Sequence, residues 1–413
     1  MKRYRFVIKC IYPLVRVTIL SMPIALYALA LGGFGIGLTE FGTIGLLPQI
    51  GSDFNISAAT AGYLVSGYAI SVAFGGIFIT IAVTKLERKK VLLGLMTLFI
   101  LGNFISGIAN TFPIMMVGRV VAALCHGAFF GIGAVVATDL VDSTKKARAL
   151  SIMFTGLTVA NVLGVPFGTW LGQQFGWRST FLAISLVGIS AFLAIVFLVP
   201  LDPPNNPETG ARKIRDELRA FTQRQVWYSL LVTICGFGGM FGGFTYIAYT
   251  LTRVTHFADS SIPYILFLFG IGIFIGNYFG GKSADRNLKA TISGYLSGLF
   301  VILVIFAMTA TSKPASVLSI FLMGILGFAP VSAVQMRVMK FASSAPTLAS
   351  GANIASFNIG NTIGAAAGGY LIAKNFGYTS PLWSAAALTA LAVIIFFIAD
   401  FDEKKALKKV SLS

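Results

Sequence analysis

Long apolar runs alternate with short polar segments along the chain. A helix that crosses the hydrocarbon core of a bilayer needs about 20 apolar residues, because it rises about 1.5 Å per residue. Twelve runs reach that length, and the pattern therefore predicts an all-α membrane protein with twelve transmembrane helices. The predicted spans are residues 22–47, 58–83, 90–109, 113–138, 148–172, 178–199, 226–250, 262–281, 288–310, 315–337, 347–373 and 379–400.

One connection between the spans is much longer than the others. Residues 201–225 are rich in proline, asparagine and charge, and they divide the spans into two sets of six. The fifth and eleventh spans are both rich in glycine and asparagine, as expected for duplicated halves. We therefore expect two pseudo-symmetric six-helix bundles: an N-terminal bundle over 1–200, a cytoplasmic linker over 201–225, and a C-terminal bundle with a cytoplasmic tail over 226–413.

Basic residues fall mostly in alternate connections. The segments that share a side with the N-terminus hold 26 of the 31 Lys and Arg residues, and the segments on the opposite side hold 4. Because positively charged loops stay in the cytoplasm, this asymmetry predicts cytoplasmic termini and an inner-membrane location. It also accounts for the net charge of +17 without a nucleic-acid partner, since the charges lie in short loops and form no single face.

Composition and the absence of certain motifs exclude several classes of protein function. Charged residues make up 11% of the chain, against about 25% in soluble domains, which excludes an ordinary soluble protein. The sequence contains no Walker motif for ATP, and its three cysteines and two histidines form no metal-binding pattern. We expect no enzyme activity, no metal and no cofactor. The expected partners are a small solute, a proton and the lipid bilayer, with the chain working as a monomer.

Three residues with acidic, basic or imidazole side chains lie well within predicted spans, away from the span ends. Glu40 is an acid well within the first span, Arg119 is a cation in the fourth, and His126 follows Arg119 by about two helical turns. A carboxylate in hydrocarbon is costly unless it is paired, protonated or hydrated, so such residues usually face a transport pathway. We therefore expect Glu40 to bind and release a driving proton and to contact substrate. Arg119 is expected to couple to Glu40, directly or through water, and His126 to serve as a second relay.

Each of these three residues also has a purely structural interpretation. Glu40 could close a helix contact near the outer surface, and Arg119 could brace backbone carbonyl groups in the N-terminal half. His126 could be a neutral histidine that is satisfied within a helix contact. These alternatives remain open at the level of the sequence.

The fifth span contains several glycines and a proline. Short basic loops follow the second and eighth spans. The fifth span contains Gly156 and the string Gly164-Val-Pro166-Phe-Gly168, in which Pro166 is expected to bend or loosen the helix. The loop after the second span contains Lys85 and Arg88. The loop after the eighth contains Gly281-Lys-Ser-Ala-Asp285-Arg286.

These motifs resemble those of the major facilitator superfamily over nearly the whole chain. The loop after the eighth span matches the first half of that family's loop signature, whereas Thr84 replaces the signature aspartate after the second. The glycine-rich fifth span resembles the antiporter signature. The chain is most similar to the twelve-span drug:proton antiporters, in the branch of arabinose efflux, purine nucleoside efflux and chloramphenicol resistance proteins.

The resemblance implies a secondary active transporter that works by alternating access. Its antiporter signature implies proton-coupled efflux of a drug, nucleoside or sugar, with Gly156, Gly164, Pro166 and Gly168 forming a pivot that limits proton leak. A proton-coupled uptake symporter of the same fold is the alternative. Polar candidates for lining the substrate cavity are Asn161 in the fifth span and Asn353, Asn358 and Asn361 in the eleventh.

Overall fold

The computed structural model describes residues 22–83, 86–142, 145–201 and 219–410. In these ranges all regular structure is helical, and the helices cross the molecule twelve times. The crossings are α1 (Ala25–Asp53), α2 (Ala58–Ala82), α3 (Arg88–Gly107), α4 (Phe112–Asp139), α5 (146–175), α6 (Trp177–Leu198), α7 (Arg224–Arg253), α8 (Ile262–Arg286), α9 (Leu288–Thr309), α10 (Lys313–Phe341), α11 (Pro346–Ala373) and α12 (Ser380–Val410).

Eleven of these helices are long and apolar enough to cross a membrane, and α11 is the exception. It is 28 residues long, which exceeds the length needed to span, but many of its residues are Gly, Asn, Ser and Thr. The twelve predicted spans correspond one to one with the helices. The largest differences are at α1, which continues six residues beyond the predicted end, and α12, which continues ten residues as a charged helix.

The helices pair in the same way in both halves of the chain. In the N-terminal half, α1 packs against α5 and α6, α2 against α4, and α3 against α4 and α6. Adding six to each number gives the main pairs of the C-terminal half, in which α7 packs against α11 and α12, α8 against α10, and α9 against α10 and α12. The fold is therefore two pseudo-symmetric six-helix bundles. Most of the expected linker, residues 202–218, lies outside the described residues.

Backbones approach closely where α1 crosses α5 and where α7 crosses α11. A Cβ atom on Gly156 would collide with the carbonyl oxygen of Ala30, and one on Gly364 would collide with that of Gly238. Small residues at such crossings let main chains meet, which strengthens dispersion contacts where lipid offers no hydrophobic driving force. The two crossings occupy equivalent positions in the two halves.

The first helix of each half is interrupted near the same end. In α1 the helix Ala25–Gly42 gives way to a short 3-10 turn, Ile44–Leu46, before the seven-residue helix Leu47–Asp53. In α7 the helix Arg224–Thr245 is followed by the seven-residue helix Ile247–Arg253. Pro48 contributes to the first break, because proline lacks an N–H group and its ring clashes with the carbonyl four residues earlier.

The two bundles meet around those breaks and form a seal. A single hydrophobic core there combines residues of both bundles, and the rings of Phe41 and Phe241 stack across it with centroids 5.5 Å apart. The Tyr249 hydroxyl also donates to the Leu47 carbonyl at 3.1 Å. Towards the opposite side, the described residues form separate cores within each bundle. The protein is therefore closed on the side of the α1–α2 loop.

We expect Gly156→Ala and Gly364→Ala each to destabilise the protein by about 1–3 kcal/mol, the usual cost of forcing extra atoms into a packed contact. The measurement is thermal unfolding of purified protein in detergent. Gly351→Ala is the matched control because a Cβ at that position of α11 meets open space. Equal unfolding midpoints for Gly351→Ala and Gly364→Ala would contradict the close crossing.

Candidate functional site

Arg119 lies fully buried between α1, α2 and α4. Its Nη1 donates to the Thr39 carbonyl of α1 at 2.6 Å, and its Nε donates to the Leu64 carbonyl of α2 at 3.2 Å. Its guanidinium carbon lies 4.2 Å from the centroid of the Tyr68 ring, a cation–π contact. Within the described structure its Nη2 has no hydrogen-bond partner. Arg119 therefore ties the main chains of two neighbouring helices to its own.

Glu40 lies beside this anchor but does not form an ion pair with it. The side chain of Glu40 is 13% exposed, and its Oε2 lies 4.0 Å from Nε2 of His126. Among the described residues no salt bridge joins Glu40 to Arg119, so the direct form of the predicted coupling is not seen. The connection instead runs through the backbone, because Arg119 binds the carbonyl of Thr39, the residue before Glu40.

His126 uses both ring nitrogens. Its Nδ1 lies 3.3 Å from the Tyr68 hydroxyl, and its Nε2 faces Glu40. The ring is buried and packs against Phe130, with centroids 5.5 Å apart. Because Tyr68 contacts both His126 and Arg119, these four side chains form one cluster, which we call the α1–α2–α4 cluster: Glu40, Tyr68, Arg119 and His126.

The sequence analysis did not identify Tyr68, and it did not identify Asn103, which holds the residue before Glu40. The Thr39 hydroxyl donates to Oδ1 of Asn103 on α3 at 3.0 Å, and the Asn103 amide donates to the Phe99 carbonyl. Asn103 is an amide in the middle of an apolar span, which is a signal that the sequence offers. Tyr68 could not be recognised in the same way, since one tyrosine among thirteen carries no distinguishing pattern.

The four asparagines proposed to line a cavity fall into different environments. Asn353 is engaged between helices, since it accepts from Thr233 of α7 at 2.7 Å and donates to Gln335 of α10 at 2.6 Å. The amides of Asn161 and Asn358 donate to their own helices, to Leu157 and Ile354. All four side chains are buried, and the carbonyl oxygens of Asn358 and Asn361 have no partner in the described structure.

The glycine and proline motif coincides with a change of helix type in α5. The α-helix Lys146–Val159 widens to a π turn over Ala160–Gly164, and the α-helix resumes at Val165–Phe175 with Pro166 in its first turn. A proline ring clashes with the carbonyl four residues earlier, and a π turn accommodates that clash. The turn packs against Gly270 of α8, so it lies where the two bundles touch.

Two further residues of the fifth-span motif permit close packing. A Cβ on Gly164 would collide with Leu38 of α1, and one on Gly168 would press on Thr180 of α6. The motif therefore lies against both its own bundle and, through the π turn, the other one.

The basic loops have different surroundings in the two halves. Lys85 lies outside the described residues, whereas Arg88 at the start of α3 forms a salt bridge to Asp139 at the end of α4. In the second half Gly281 is part of α8, and Asp285 and Arg286 are exposed at its end. The two loops are thus not equivalent in contacts.

Arg337 is a second buried arginine. The sequence places it at the boundary of a cytoplasmic loop, and the structure places it in the last part of α10. It donates to Gln225 of α7 at 2.9 Å and lies 3.9 Å from Glu403 of α12. The described residues contain no group of three His, Cys, Asp or Glu that could hold a metal.

We expect Arg119→Lys to lower the free energy of unfolding by about 2–3 kcal/mol. A lysine ammonium cannot reproduce the planar fork that reaches two carbonyls, and a lost charged hydrogen bond costs about that much. Thermal unfolding in detergent measures the change, with Arg253→Lys at an exposed position as the matched control. Unchanged stability of Arg119→Lys would show that the two carbonyl bonds are not needed.

The fold and these residues can be compared with known proteins. The family model described as Major Facilitator Superfamily matches residues 29–347. The inner membrane transport protein YdhP of Escherichia coli (strain K12) is 41% identical, with 90% of this chain and 95% of that protein covered. A chloramphenicol resistance protein of Streptomyces lividans is 32% identical, with 91% and 96% covered.

A solved structure supports the same fold. It is a bacterial homologue of the human lysosomal transporter Spinster, in an inward-facing and unoccupied conformation. It matches with a TM-score of 0.69 and 19% identity, and the match covers 91% of this chain and 96% of that one. Together with the repeated six-helix bundles, these matches show that the chain is a multi-pass membrane transporter and belongs to the Major Facilitator Superfamily.

Proposed function

We propose that the protein exports a small organic solute in exchange for protons, with Glu40 as the proton-binding group. The observation that carries the proposal is the position of Glu40 at the inner edge of the seal. The next residue, Phe41, stacks on Phe241 of the other bundle, whereas the Glu40 side chain keeps 13% exposure beneath it. An acid at that boundary changes its access to water when the bundles separate.

The surroundings of Glu40 suit both of its charge states. The ionised carboxylate is attracted by the nearby guanidinium of Arg119, which stays charged because arginine does not lose its proton in proteins. The protonated carboxyl is favoured by removal from water, since a charged group is costly in hydrocarbon. Opposing influences of this kind are what a group needs if it is to bind a proton on one side and release it on the other.

Alternating access would then follow from the way the bundles touch. Contacts between α2 and α11 and between α5 and α8 join the halves on the closed side. Separating those contacts would expose Glu40 to the side of the α1–α2 loop, which the charge asymmetry assigns to the outside. In this proposal both termini are cytoplasmic, the membrane is the inner membrane and the working unit is a monomer.

The direction of transport is supported by the chloramphenicol resistance relative and by the fifth-span motif at the contact between α5 and α8. A resistance protein that transports a drug protects a cell by moving it outward. In this proposal the π turn and Pro166 form the pivot between bundles, and Asn358 and Asn361, whose carbonyl oxygens lack partners, offer acceptors to the solute.

We expect respiration to drive uptake of chloramphenicol, or of a nucleoside or sugar found by a binding screen, into inside-out membrane vesicles that contain the protein. A protonophore should abolish this uptake. Glu40→Gln should lower the proton-driven rate at least tenfold while solute exchange without a gradient continues, because glutamine keeps the shape of the side chain but binds no proton. Radiolabelled solute measures both rates.

The matched control is Asp142→Asn, which removes an exposed acid and should leave both rates unchanged. Proton-driven uptake by Glu40→Gln at the wild-type rate would rule out Glu40 as the coupling group. Energised uptake by intact cells, in place of inside-out vesicles, would instead show a symporter.

A further inference from the structure

Tyr68 occupies a position that the proposed function does not yet use. Its hydroxyl contacts Nδ1 of His126 at 3.3 Å, and its ring lies under the guanidinium of Arg119. It is fully buried on α2, one turn beyond Leu64, whose carbonyl also binds Arg119. Tyr68 therefore contacts the histidine that faces Glu40 and the arginine that anchors α1.

A neutral imidazole has one N–H donor and one acceptor nitrogen, so only two neutral arrangements fit the cluster. In the first, the Tyr68 hydroxyl donates to Nδ1, and Nε2–H points at the ionised carboxylate of Glu40. In the second, Nδ1–H donates to the Tyr68 oxygen, and the lone pair of Nε2 faces Glu40. The second arrangement favours a protonated Glu40, because the lone pair of Nε2 repels an ionised carboxylate 4.0 Å away and attracts the hydrogen of the acid form.

We propose that His126 is a tautomeric relay whose hydrogen reports the protonation of Glu40 to Tyr68, with Tyr68 acting as a positioning residue. Going from the first arrangement to the second adds one proton overall: the Nε2 hydrogen passes to the carboxylate of Glu40, and the added proton binds Nδ1. The imidazole is neutral before and after this change. The Tyr68 hydroxyl keeps its hydrogen but changes from donor to acceptor, so that hydrogen must turn away from His126.

The surrounding charges favour a neutral His126 over an imidazolium paired with Glu40. The ionisable groups around Glu40 are Arg119 and His126 on α4 and Tyr68 on α2, and Cys125 beside them donates its thiol to the Ala122 carbonyl. The rings of His126 and Tyr68 lie 6.1 Å apart, and Arg119 lies over the same Tyr68 ring. A positive His126 would therefore sit near a permanent cation in a buried site, where repulsion is weakly screened.

The relay connects Glu40 to a helix that touches the other bundle. Ser66 lies between Leu64 and Tyr68 on α2, and its carbonyl accepts from Thr362 of α11 at 3.4 Å. A change in the hydrogen bonding of Tyr68 thus occurs beside one of the contacts that must separate when the seal opens. This inference rests on the proposed role of Glu40, but its test does not require transport.

The test is nitrogen NMR of the protein in lipid bilayers with ¹⁵N-labelled histidine. The chain has two histidines, and His256→Asn leaves His126 alone; asparagine tolerates the left-handed backbone of that position, where φ is 57°. A ring nitrogen that carries hydrogen gives a signal well separated from one that does not. As the pH falls, we expect the hydrogen of His126 to move from Nε2 to Nδ1 without both nitrogens becoming protonated.

Two variants identify the partners of His126. Glu40→Gln should abolish the pH dependence of the tautomer, because the amide does not titrate. Tyr68→Phe removes only the hydroxyl and keeps the ring under Arg119, and it should extend the Nε2–H form to lower pH because Nδ1–H loses its acceptor. Tyr63→Phe, an exposed position on the same helix, is the matched control and should behave as the parent protein.

Each outcome separates the relay from the transport proposal. An unchanging tautomer, or a signal with both nitrogens protonated, overturns the relay even if Glu40→Gln loses proton-driven transport. A tautomer that follows Glu40 while transport ignores the proton gradient supports the relay and contradicts the proposed function. An unaltered response in Tyr68→Phe would remove Tyr68 from the relay.

Discussion

A permanent positive charge buried between three helices has to be satisfied by polar atoms, and here two main chains supply them. Arg119 donates hydrogen bonds to the carbonyl of Thr39 in α1 and to the carbonyl of Leu64 in α2. The face of the Tyr68 ring covers its guanidinium. A side-chain acid in place of those carbonyls would neutralise the charge and fix the acid as ionised. Because the anchor uses backbone groups, Arg119 is held among the described residues without an ion pair to Glu40.

The same anchor places Glu40 relative to the seal. Thr39 is bound on both sides, by Arg119 at its carbonyl and by Asn103 at its hydroxyl, so the turn of α1 that carries Glu40 has little freedom. The helix ends at Gly42, directly beyond the acid, and Phe41 meets Phe241 of the other bundle. Thr39, which is held within its own bundle, and Phe41, which contacts the other bundle, therefore lie on either side of Glu40.

The sequence was sufficient for the fold because the bilayer imposes a simple rule on length and hydropathy. The apolar runs locate all twelve spans, including α11, which is not among the eleven helices that qualify as membrane spans by length and composition. The ends of α1 and α12 were misjudged, since a helix can continue past the apolar region. Hydropathy marks the hydrocarbon boundary, whereas hydrogen bonding decides where a helix stops.

The candidate site was less accessible to sequence reasoning. Rarity identified Glu40, Arg119 and His126, because ionisable side chains in apolar spans are conspicuous. Rarity says nothing about partners: His126 lies beside Glu40, no direct ion pair joins Glu40 to Arg119 among the described residues, and coupling through water stays a prediction. Partners depend on the rotation of each helix and on side-chain direction, and a periodic apolar pattern leaves both undetermined when a helix is apolar all round.

Contacts within the bundles differ in kind from contacts across the boundary between them. Within each bundle, glycines such as Gly156 and Gly364 bring main chains together, and separating those helices would lose dispersion along the whole crossing. Across the boundary, side chains contribute hydrogen bonds and the stack of Phe41 on Phe241, each worth about 1 kcal/mol, together with the shared hydrophobic core. The π turn of α5 against Gly270 of α8 is different, because there main chains meet across the boundary. That contact leaves no room for a side chain on Gly270, whereas the contacts around Phe41 are made by side chains.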